Sequence, residues 1–139
     1  PVLFAMRTAA LAGVDVRLIV PMHSDSKIVE WASTSYIREV AEAGVKVYLY
    51  QAGFNHSKFL VSDDSVCTCG STNVDFRSFE HDFEANVFFF DEGVALRMKK
   101  IFLDDQALSP TYDEISAHVR FTFRKRLWTS IIRLLSPLL

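Results

Sequence analysis

The chain has 139 residues, half of them hydrophobic and 23% charged, which suits one folded domain with a buried core and excludes extensive disorder. Its formal net charge of −2 gives no overall reason to expect a polyanionic partner such as nucleic acid. No uninterrupted apolar run approaches the ~20 residues that a membrane-spanning helix needs, and no signal peptide is visible in the sequence.

The first part of the chain alternates helical and extended patterns. Four elements are predicted in the order helix, strand, helix, strand, over residues 2–12, 15–20, about 24–43 and 45–50. Gly13 and Gly44 suit the left-handed turn that follows each helix, and Ser24 or Ser26 can cap the second helix. This order implies a right-handed crossover and parallel neighbouring strands.

The pattern then changes to short strands. Lys58–Ser62 and Val66–Cys69, separated by the turn Asp63-Asp64-Ser65, predict an antiparallel hairpin. The segment Glu84–Phe90 is apolar nearly throughout, which predicts a central buried strand with Phe88, Phe89 and Phe90 in the core. Helices are predicted to follow over about 92–105 and 116–136. The fold class expected is therefore α/β, a mixed β-sheet sandwiched by helices.

The two cysteines, Cys67 and Cys69, lie one residue apart on a predicted strand. Alternate residues of a strand hold their side chains parallel on one face, which excludes an easy disulfide between them. We expect both to be free thiols that pack as small core or half-buried residues in a reducing compartment.

The residues that can carry chemistry concentrate on the predicted hairpin. His56, Lys58 and Asp63 form the pattern H-x-K-x-x-x-x-D, and Gly70-Ser71-x-Asn73 follows it. Positions i and i+2 of a strand face the same side, so His56 and Lys58 converge. An imidazole can act as a nucleophile or proton donor near neutral pH, and an ammonium beside it can neutralise the charge on a phosphoryl group.

Further polar groups extend this predicted site. Ser71 and Asn73 end the return strand of the hairpin, so hydroxyl, amide and backbone N–H donors could reach the same anion. Glu84 opens the next strand and is a candidate to hold the imidazole N–H of His56 and set its tautomer. A histidine near a lysine is usually a surface pair without function. Chance is a poor explanation, however, for H-x-K-x-x-x-x-D, G-S-x-N and the carboxylate of Glu84 occurring together at these spacings.

This pattern is similar to the HKD signature of the phospholipase D superfamily. The segment GSTNVDFRSFEHDFEANVFFFD resembles the version found in bacterial cardiolipin synthases. Three other segments resemble the same family: AALAGVDVRLIVPMHSDS, EAGVKVYLYQAGFNHSK and the closing RLLSPLL. The resemblance therefore covers essentially the whole chain. Two departures stand out: Asn55 replaces an apolar residue that the family tends to carry, and His81-Asp82 replaces a common Leu-Asn pair.

The resemblance implies a phospholipase D-like fold and a two-step phosphoryl exchange that uses no metal or other cofactor. One histidine attacks the phosphodiester and becomes a phosphohistidine. A second histidine, from a second HKD motif across a pseudo-twofold axis, protonates the leaving alcohol and then activates the incoming one. In members with two motifs on one chain the N-terminal histidine usually is the nucleophile, so His56 is expected to be the general acid and base. The other implied roles are phosphate binding for Lys58, Ser71 and Asn73, anchoring of the motif for Asp63, and orientation of His56 for Glu84.

The implied function is phosphatidyl transfer between two phosphatidylglycerol molecules, giving cardiolipin and glycerol, with this chain supplying the second HKD half-site. The other motif would come from the N-terminal half of a longer parent or from a second copy of this chain. The opening at Pro1, without Met and inside a helical pattern, favours a piece of a longer parent. The resemblance implies that the parent acts at the bacterial cytoplasmic membrane, and this piece, without a membrane-spanning run, is expected to be soluble.

Two other functions remain open from the sequence. One is a hydrolytic phospholipase D or phosphodiesterase. The same active-site residues can transfer the phosphatidyl group to a lipid alcohol or to water, and only the exclusion of water from the site decides between these acceptors. The other is a non-catalytic half-domain for membrane binding or assembly. A nucleic-acid substrate is disfavoured because the chain before Arg120 is acidic.

Residues 118–139 are predicted to form a basic amphipathic helix and tail after the domain of residues 1–117. From position 120 onward the charged residues are all basic: Arg120, Arg124, Lys125, Arg126 and Arg133. The tail can lie on an anionic membrane surface through 120–139, or its apolar stripe can pack on the domain.

Two further candidates for binding the lipid headgroup lie outside the motif. His23 is in the loop after the first predicted strand, where ligands of α/β sheets often bind, and Arg77 lies in the R-S-F stretch. The plainer alternatives are an exposed loop histidine for His23 and an ion pair with Glu80 or Asp82 for Arg77.

Overall fold

The structure, a computed structural model, describes residues 2–22, 36–53, 55–74, 78 and 81–118. Its helices and strands are α1 (Val2–Leu11), β1 (Arg17–Pro21), α2 (36–42), β2 (Lys46–Tyr50), β3 (Phe59–Ser62), β4 (Val66–Gly70), β5 (Asn86–Phe89), α3 (Glu92–Ala107) and α4 (Tyr112–His118). The predicted α/β class and order of elements are confirmed. The predicted cap of α2 at Ser24 or Ser26, and the tail after residue 118, lie outside the described residues.

Strands β1 and β2 form a parallel pair, as the alternating order of helices and strands predicted, with register from Arg17↔Lys46 to Pro21↔Tyr50. Val40 of α2, Val47 of β2 and Val45 between these elements make the centre of the core here, with α1 residues such as Leu3 and Met6 packed against them. The two predicted left-handed turns are present, since Gly13 has φ 89° and Gly44 has φ 98°. Pro21 is the last residue of β1 and not the residue that follows it.

Strands β3, β4 and β5 form a separate antiparallel sheet in that order. The predicted hairpin is confirmed: β3 pairs with β4, and the backbone N–H of Ser65 donates to the carbonyl of Ser62 at 3.2 Å across the turn. Asp63 and Asp64 have φ of 50° and 58°, the left-handed values of the two central residues of a type I′ β-turn over Ser62–Ser65, within a three-residue hairpin loop. Aspartate tolerates this conformation better than most residues other than glycine and asparagine.

The two faces of this sheet differ in what covers them. Phe59 contacts Phe102 of α3 edge-on, with ring centroids 6.3 Å apart, and Cys67 on the same face is only 1% exposed. On the opposite face, the register aligns Leu60, Thr68 and Phe88 across the three strands. Leu60 is 52% and Phe88 62% exposed, so this second face (the open face) is an exposed apolar surface.

The prediction that β5 is a central buried strand is wrong. Three of its four residues are exposed, Phe90 just beyond it is 80% exposed, and β4 is its pairing partner among the described strands. Of the predicted core phenylalanines, only Phe89 is half-buried. The apolar composition of the segment Glu84–Phe90 indicates that it favours burial. It does not indicate whether the same chain or another one buries it. The expectation of free thiols is confirmed, with Cys67 buried and Cys69 half-buried.

A small charged network ties the start of β1 to β2. The carboxylate of Asp15 accepts hydrogen bonds from Arg17 Nη2 at 2.7 Å and Nε at 3.1 Å, and lies 2.9 Å from Lys46 Nζ. The hydrogen bonds from Arg17 and then from Lys46 hold the pKa of Asp15 well below its ordinary value.

We therefore expect the stabilisation from Asp15 to be lost in acid. Because the folded-state pKa is depressed, the contribution is fully present above the unfolded pKa of about 3.9 and is lost as pH falls toward the folded value. Asp15→Asn should lower the melting temperature by only a few degrees at about pH 6, because the pair is exposed and screened by solvent, and by less at about pH 3. Thermal unfolding at both pH values checks this, with Asp113→Asn in α4 as a control for losing a carboxylate elsewhere. An equal effect of Asp15→Asn at both pH values would contradict the expectation.

Candidate active site on the hairpin

The open end of the hairpin, where β3 begins and β4 ends, carries the predicted motif. The Nζ of Lys58 donates to the backbone carbonyl of His56 at 2.8 Å, which holds the ammonium beside the histidine's own backbone. An ammonium has three N–H donors, and this bond uses one of them. His56 is exposed and Lys58 half-buried, so both are placed to meet a ligand at the surface.

Backbone hydrogen bonds join the motif to the residues that follow β4. The N–H of Gly70 donates to the carbonyl of Lys58 at 3.1 Å, and the N–H of Ser71 donates to the carbonyl of Ala85 at 3.0 Å. Gly70 and Ser71 together therefore join the residue just before β3 to the segment that leads into β5. This arrangement brings the H-x-K and G-S-x-N parts of the pattern together, as the hairpin predicted.

The hydroxyl of Ser71 is the polar centre of this region. It donates to Glu84 Oε2 and accepts from the backbone N–H of Ala85 at 3.0 Å. Ser71 thereby fixes the half-buried carboxylate of Glu84 relative to the hairpin. A phosphate oxygen that bound Ser71 would have to take the proton that now goes to Glu84. The roles predicted for Ser71 in phosphate binding and for Glu84 in orienting His56 stay predictions.

A second side-chain contact supports the same loop. The Nδ2 of Asn86, the first residue of β5, donates to the hydroxyl of Thr72, next to the half-buried Asn73. The backbone N–H of Ser57 also donates to Asn55 Oδ1 at 2.9 Å, so the departure Asn55 closes a local turn just before the motif. Neither contact was expected from the sequence. An asparagine before a turn commonly accepts a backbone N–H two residues later, so the Asn55 contact could have been predicted.

The motif aspartate, Asp63, and its neighbour Asp64 lie at the closed end of the hairpin, away from His56. Asp63 is exposed and its Oδ2 accepts a hydrogen bond from Ser62 Oγ at 3.3 Å. The anchoring role predicted for Asp63 stays a prediction. The residue beside it makes the longer-range contact: Asp64 accepts bonds from Lys99 Nζ of α3 at 2.6 and 2.9 Å. The sequence did not indicate this pair because its members are 35 positions apart.

His23 and Arg77, the two candidates for headgroup binding, lie outside the described residues, as does the basic tail. Among the described residues there is no group of three or more histidines, cysteines or acidic residues arranged to hold a metal ion. No helix in the described part of the chain is both long and apolar enough to cross a membrane.

The described fold is of the phospholipase D type. A phospholipase D family member, Nuc from Salmonella typhimurium, has a similar structure with a TM-score of 0.70 at 18% sequence identity. The similarity covers 80% of this chain and 72% of that protein. At such low identity the comparison establishes the fold alone.

Sequence comparison defines the family more closely. Residues 1–106 match the family described as "Cardiolipin synthase, PLD-like domain", and the chain belongs to it. It is 41% identical over 139 residues to a cardiolipin synthase of Clostridium perfringens and 44% identical over 138 residues to one of Geobacillus thermodenitrificans. The chain spans only 29% and 27% of the lengths of these two proteins.

Proposed function

We propose that this chain supplies one HKD half-site of a phosphatidyltransferase that converts two phosphatidylglycerol molecules into cardiolipin and glycerol. The observation that carries the proposal is the connected set of groups at the open end of the hairpin. Backbone hydrogen bonds link Lys58 to Gly70 and Ser71 to Ala85, and Lys58 itself bonds to His56. Membership of the cardiolipin synthase family supports this reaction over other phosphodiester chemistry.

The first chemical step forms a bond between a histidine nitrogen and phosphorus. The bond from phosphorus to the glycerol oxygen of the first phosphatidylglycerol breaks, and that oxygen leaves with a proton as free glycerol. In the second step a headgroup hydroxyl of another phosphatidylglycerol attacks phosphorus, the nitrogen–phosphorus bond breaks, and cardiolipin is released. We assign the proton transfers of both steps to His56, and the nucleophilic nitrogen to a second histidine outside this chain.

Lys58 and Asn73 are proposed to bind the phosphoryl oxygens. The charge on these oxygens must be balanced while the nucleophile and the leaving group lie on opposite sides of phosphorus. The hydrogen bond from the Lys58 ammonium to the His56 backbone carbonyl, at 2.8 Å, supports this assignment because it keeps the cation close to the backbone of the proposed proton donor. Nucleophile and acid on opposite sides require two half-sites that face each other.

The open face supports the proposal of a second half. Alternation along β3 puts Lys58 on the same face as Leu60, so the exposed apolar surface leads directly to the motif. A partner domain that covers Leu60, Phe88 and Phe90 would bring its own groups against His56 and Lys58. The first relatives are more than three times as long as this chain, so they have residues enough for such a half.

Mass spectrometry of lipid products tests the proposed function. The full-length enzyme that carries this chain is incubated with phosphatidylglycerol vesicles, and a His56→Ala enzyme gives the background. We expect cardiolipin and an equal amount of glycerol from the unmodified enzyme only. Phosphatidic acid in place of cardiolipin would identify a hydrolase, and equal lipid output from both enzymes would identify a non-catalytic half-domain. The 139-residue chain alone, in the same assay, tells whether two copies can complete the site.

A further inference from the structure

We propose that Lys99 of α3 is a positioning residue, which holds the catalytic hairpin in its working orientation through Asp64. This inference rests on the proposed function for its kinetic consequences. It concerns a residue outside the HKD motif, on the helix that follows β5.

Helix α3 presents one face to the hairpin. Ala95, Lys99 and Phe102 are spaced i, i+4 and i+7, which places them on the same side of a helix. Ala95 is fully buried, Phe102 contacts Phe59, and Lys99 binds Asp64. The hairpin is therefore attached to α3 by an aromatic contact next to Lys58 and by an ion pair at its turn.

The turn itself is built for the ion pair. A β-turn such as Ser62–Ser65, with positive φ at both central residues, strongly prefers Asn-Gly, Asp-Gly or Gly-Gly at those two positions. This chain has two aspartates there, and the carboxylate of Asp64 accepts two bonds from one ammonium, at 2.6 and 2.9 Å. The Asp64 carboxylate thus attaches the turn to α3, which the common turn sequence Asn-Gly at positions 63 and 64 could not do.

The spacing of the two contacts explains how the pair acts at a distance. Asp64 is five residues from Phe59, about 15 Å along a strand, and His56 is up to about 10 Å beyond Phe59 on the other side. If the hairpin turns about the Phe59 contact, a movement of about 1 Å at the turn moves His56 by roughly 0.7 Å. Displacements near this size are enough to slow a positioned proton transfer.

Steady-state kinetics of the full-length enzyme test the proposal. Lys99→Met should lower kcat about fivefold, the size that a partly exposed ion pair can supply, and leave KM within about twofold. Asp64→Asn keeps a residue that tolerates positive φ, and should cause the same loss. The double variant should be no slower than either single variant, because both remove one interaction. Lys99→Arg should retain most of the activity.

The chain offers a matched control and a salt test. Lys100 is the next residue on the same helix and pairs with Asp104 within that helix, at 2.6 Å, so Lys100→Met should leave kcat unchanged. The difference between Lys99→Met and the unmodified enzyme should shrink when salt rises from about 0.05 to about 0.5 M, because salt screens an exposed pair. Equal kcat values for Lys99→Met and Lys100→Met, or losses that multiply in the double variant, would overturn the proposal.

Amide hydrogen exchange gives a readout that does not depend on turnover. Lys99→Met should speed exchange in the segment 56–73 relative to Lys100→Met. Faster exchange in an enzyme that makes no cardiolipin would uphold the positioning role while the proposed function fails. Unchanged exchange would refute the positioning role whatever the enzyme makes.

Discussion

Replacing Gly70 by alanine is expected to lower the melting temperature of the chain by roughly 10 °C, equivalent to about 3 kcal/mol of unfolding free energy. The cause is space. A Cβ at Gly70 would lie 2.7 Å from Asn86 Cα and closer still to the carbonyl oxygen of Ala85 and the side chain of Asn86. Backbone atoms cannot rotate away, so β5 would have to separate from β4 at the pair Gly70↔Asn86.

Thermal unfolding followed by circular dichroism measures this effect. Gly93→Ala is the matched control, because a Cβ there meets only the carboxylate of Asp91, at 3.2 Å, and alanine suits the first turn of α3. We expect Gly93→Ala to melt within a few degrees of the unmodified chain. If Gly70→Ala did the same, the close approach of β5 at this position would not exist in solution. The displaced β5 should also disturb the Ser71–Glu84 hydrogen bond and reduce activity.

The hairpin could be predicted because its signals are local. Alternating apolar residues and a three-residue polar turn specify β3, β4 and their pairing, and both were placed to within a residue or two. The pair β1 and β2 followed from the alternation of helices and strands in the same way. The proximity of the two parts of the motif could be predicted because H-x-K immediately precedes β3 and G-S-x-N begins at the end of β4, so local pairing of one hairpin brings them together. The catalytic roles of these residues remain predictions.

The features that sequence missed depend on contacts between distant segments. The apolar run 86–90 has the composition of a buried strand, yet Phe88 and Phe90 are exposed in this chain. The composition of segment 86–90 indicates a preference for burial. Which part of the protein covers the segment depends on how all chains and domains assemble. The Asp64–Lys99 pair and the Ser71–Glu84 bond likewise join positions 35 and 13 residues apart, with no periodicity to indicate them.

A general-acid role for His56 leads to the largest kinetic effect that we expect. His56→Ala should lower turnover of phosphatidylglycerol by roughly a thousandfold, within the range that general acid–base catalysis supplies. The reason is that the glycerol oxygen leaves as a poor alkoxide unless it receives a proton as its bond to phosphorus breaks. A donor with a nitrophenol in place of glycerol does not need that proton, because nitrophenolate is stable by itself.

The comparison of the two donors therefore separates the possible roles of His56. With a phosphatidyl nitrophenol donor, the first release of nitrophenol by His56→Ala should stay within about tenfold of the unmodified enzyme, while phosphatidylglycerol turnover stays roughly a thousandfold lower. If His56 were the nucleophile, no phosphohistidine would form from either donor and both reactions would fall together. Lys58→Met provides the contrast, because a group that neutralises phosphoryl charge serves both donors and its removal should slow both by a similar factor. Rapid-mixing absorbance of nitrophenolate gives the first measurement, and the lipid mass spectra give the second.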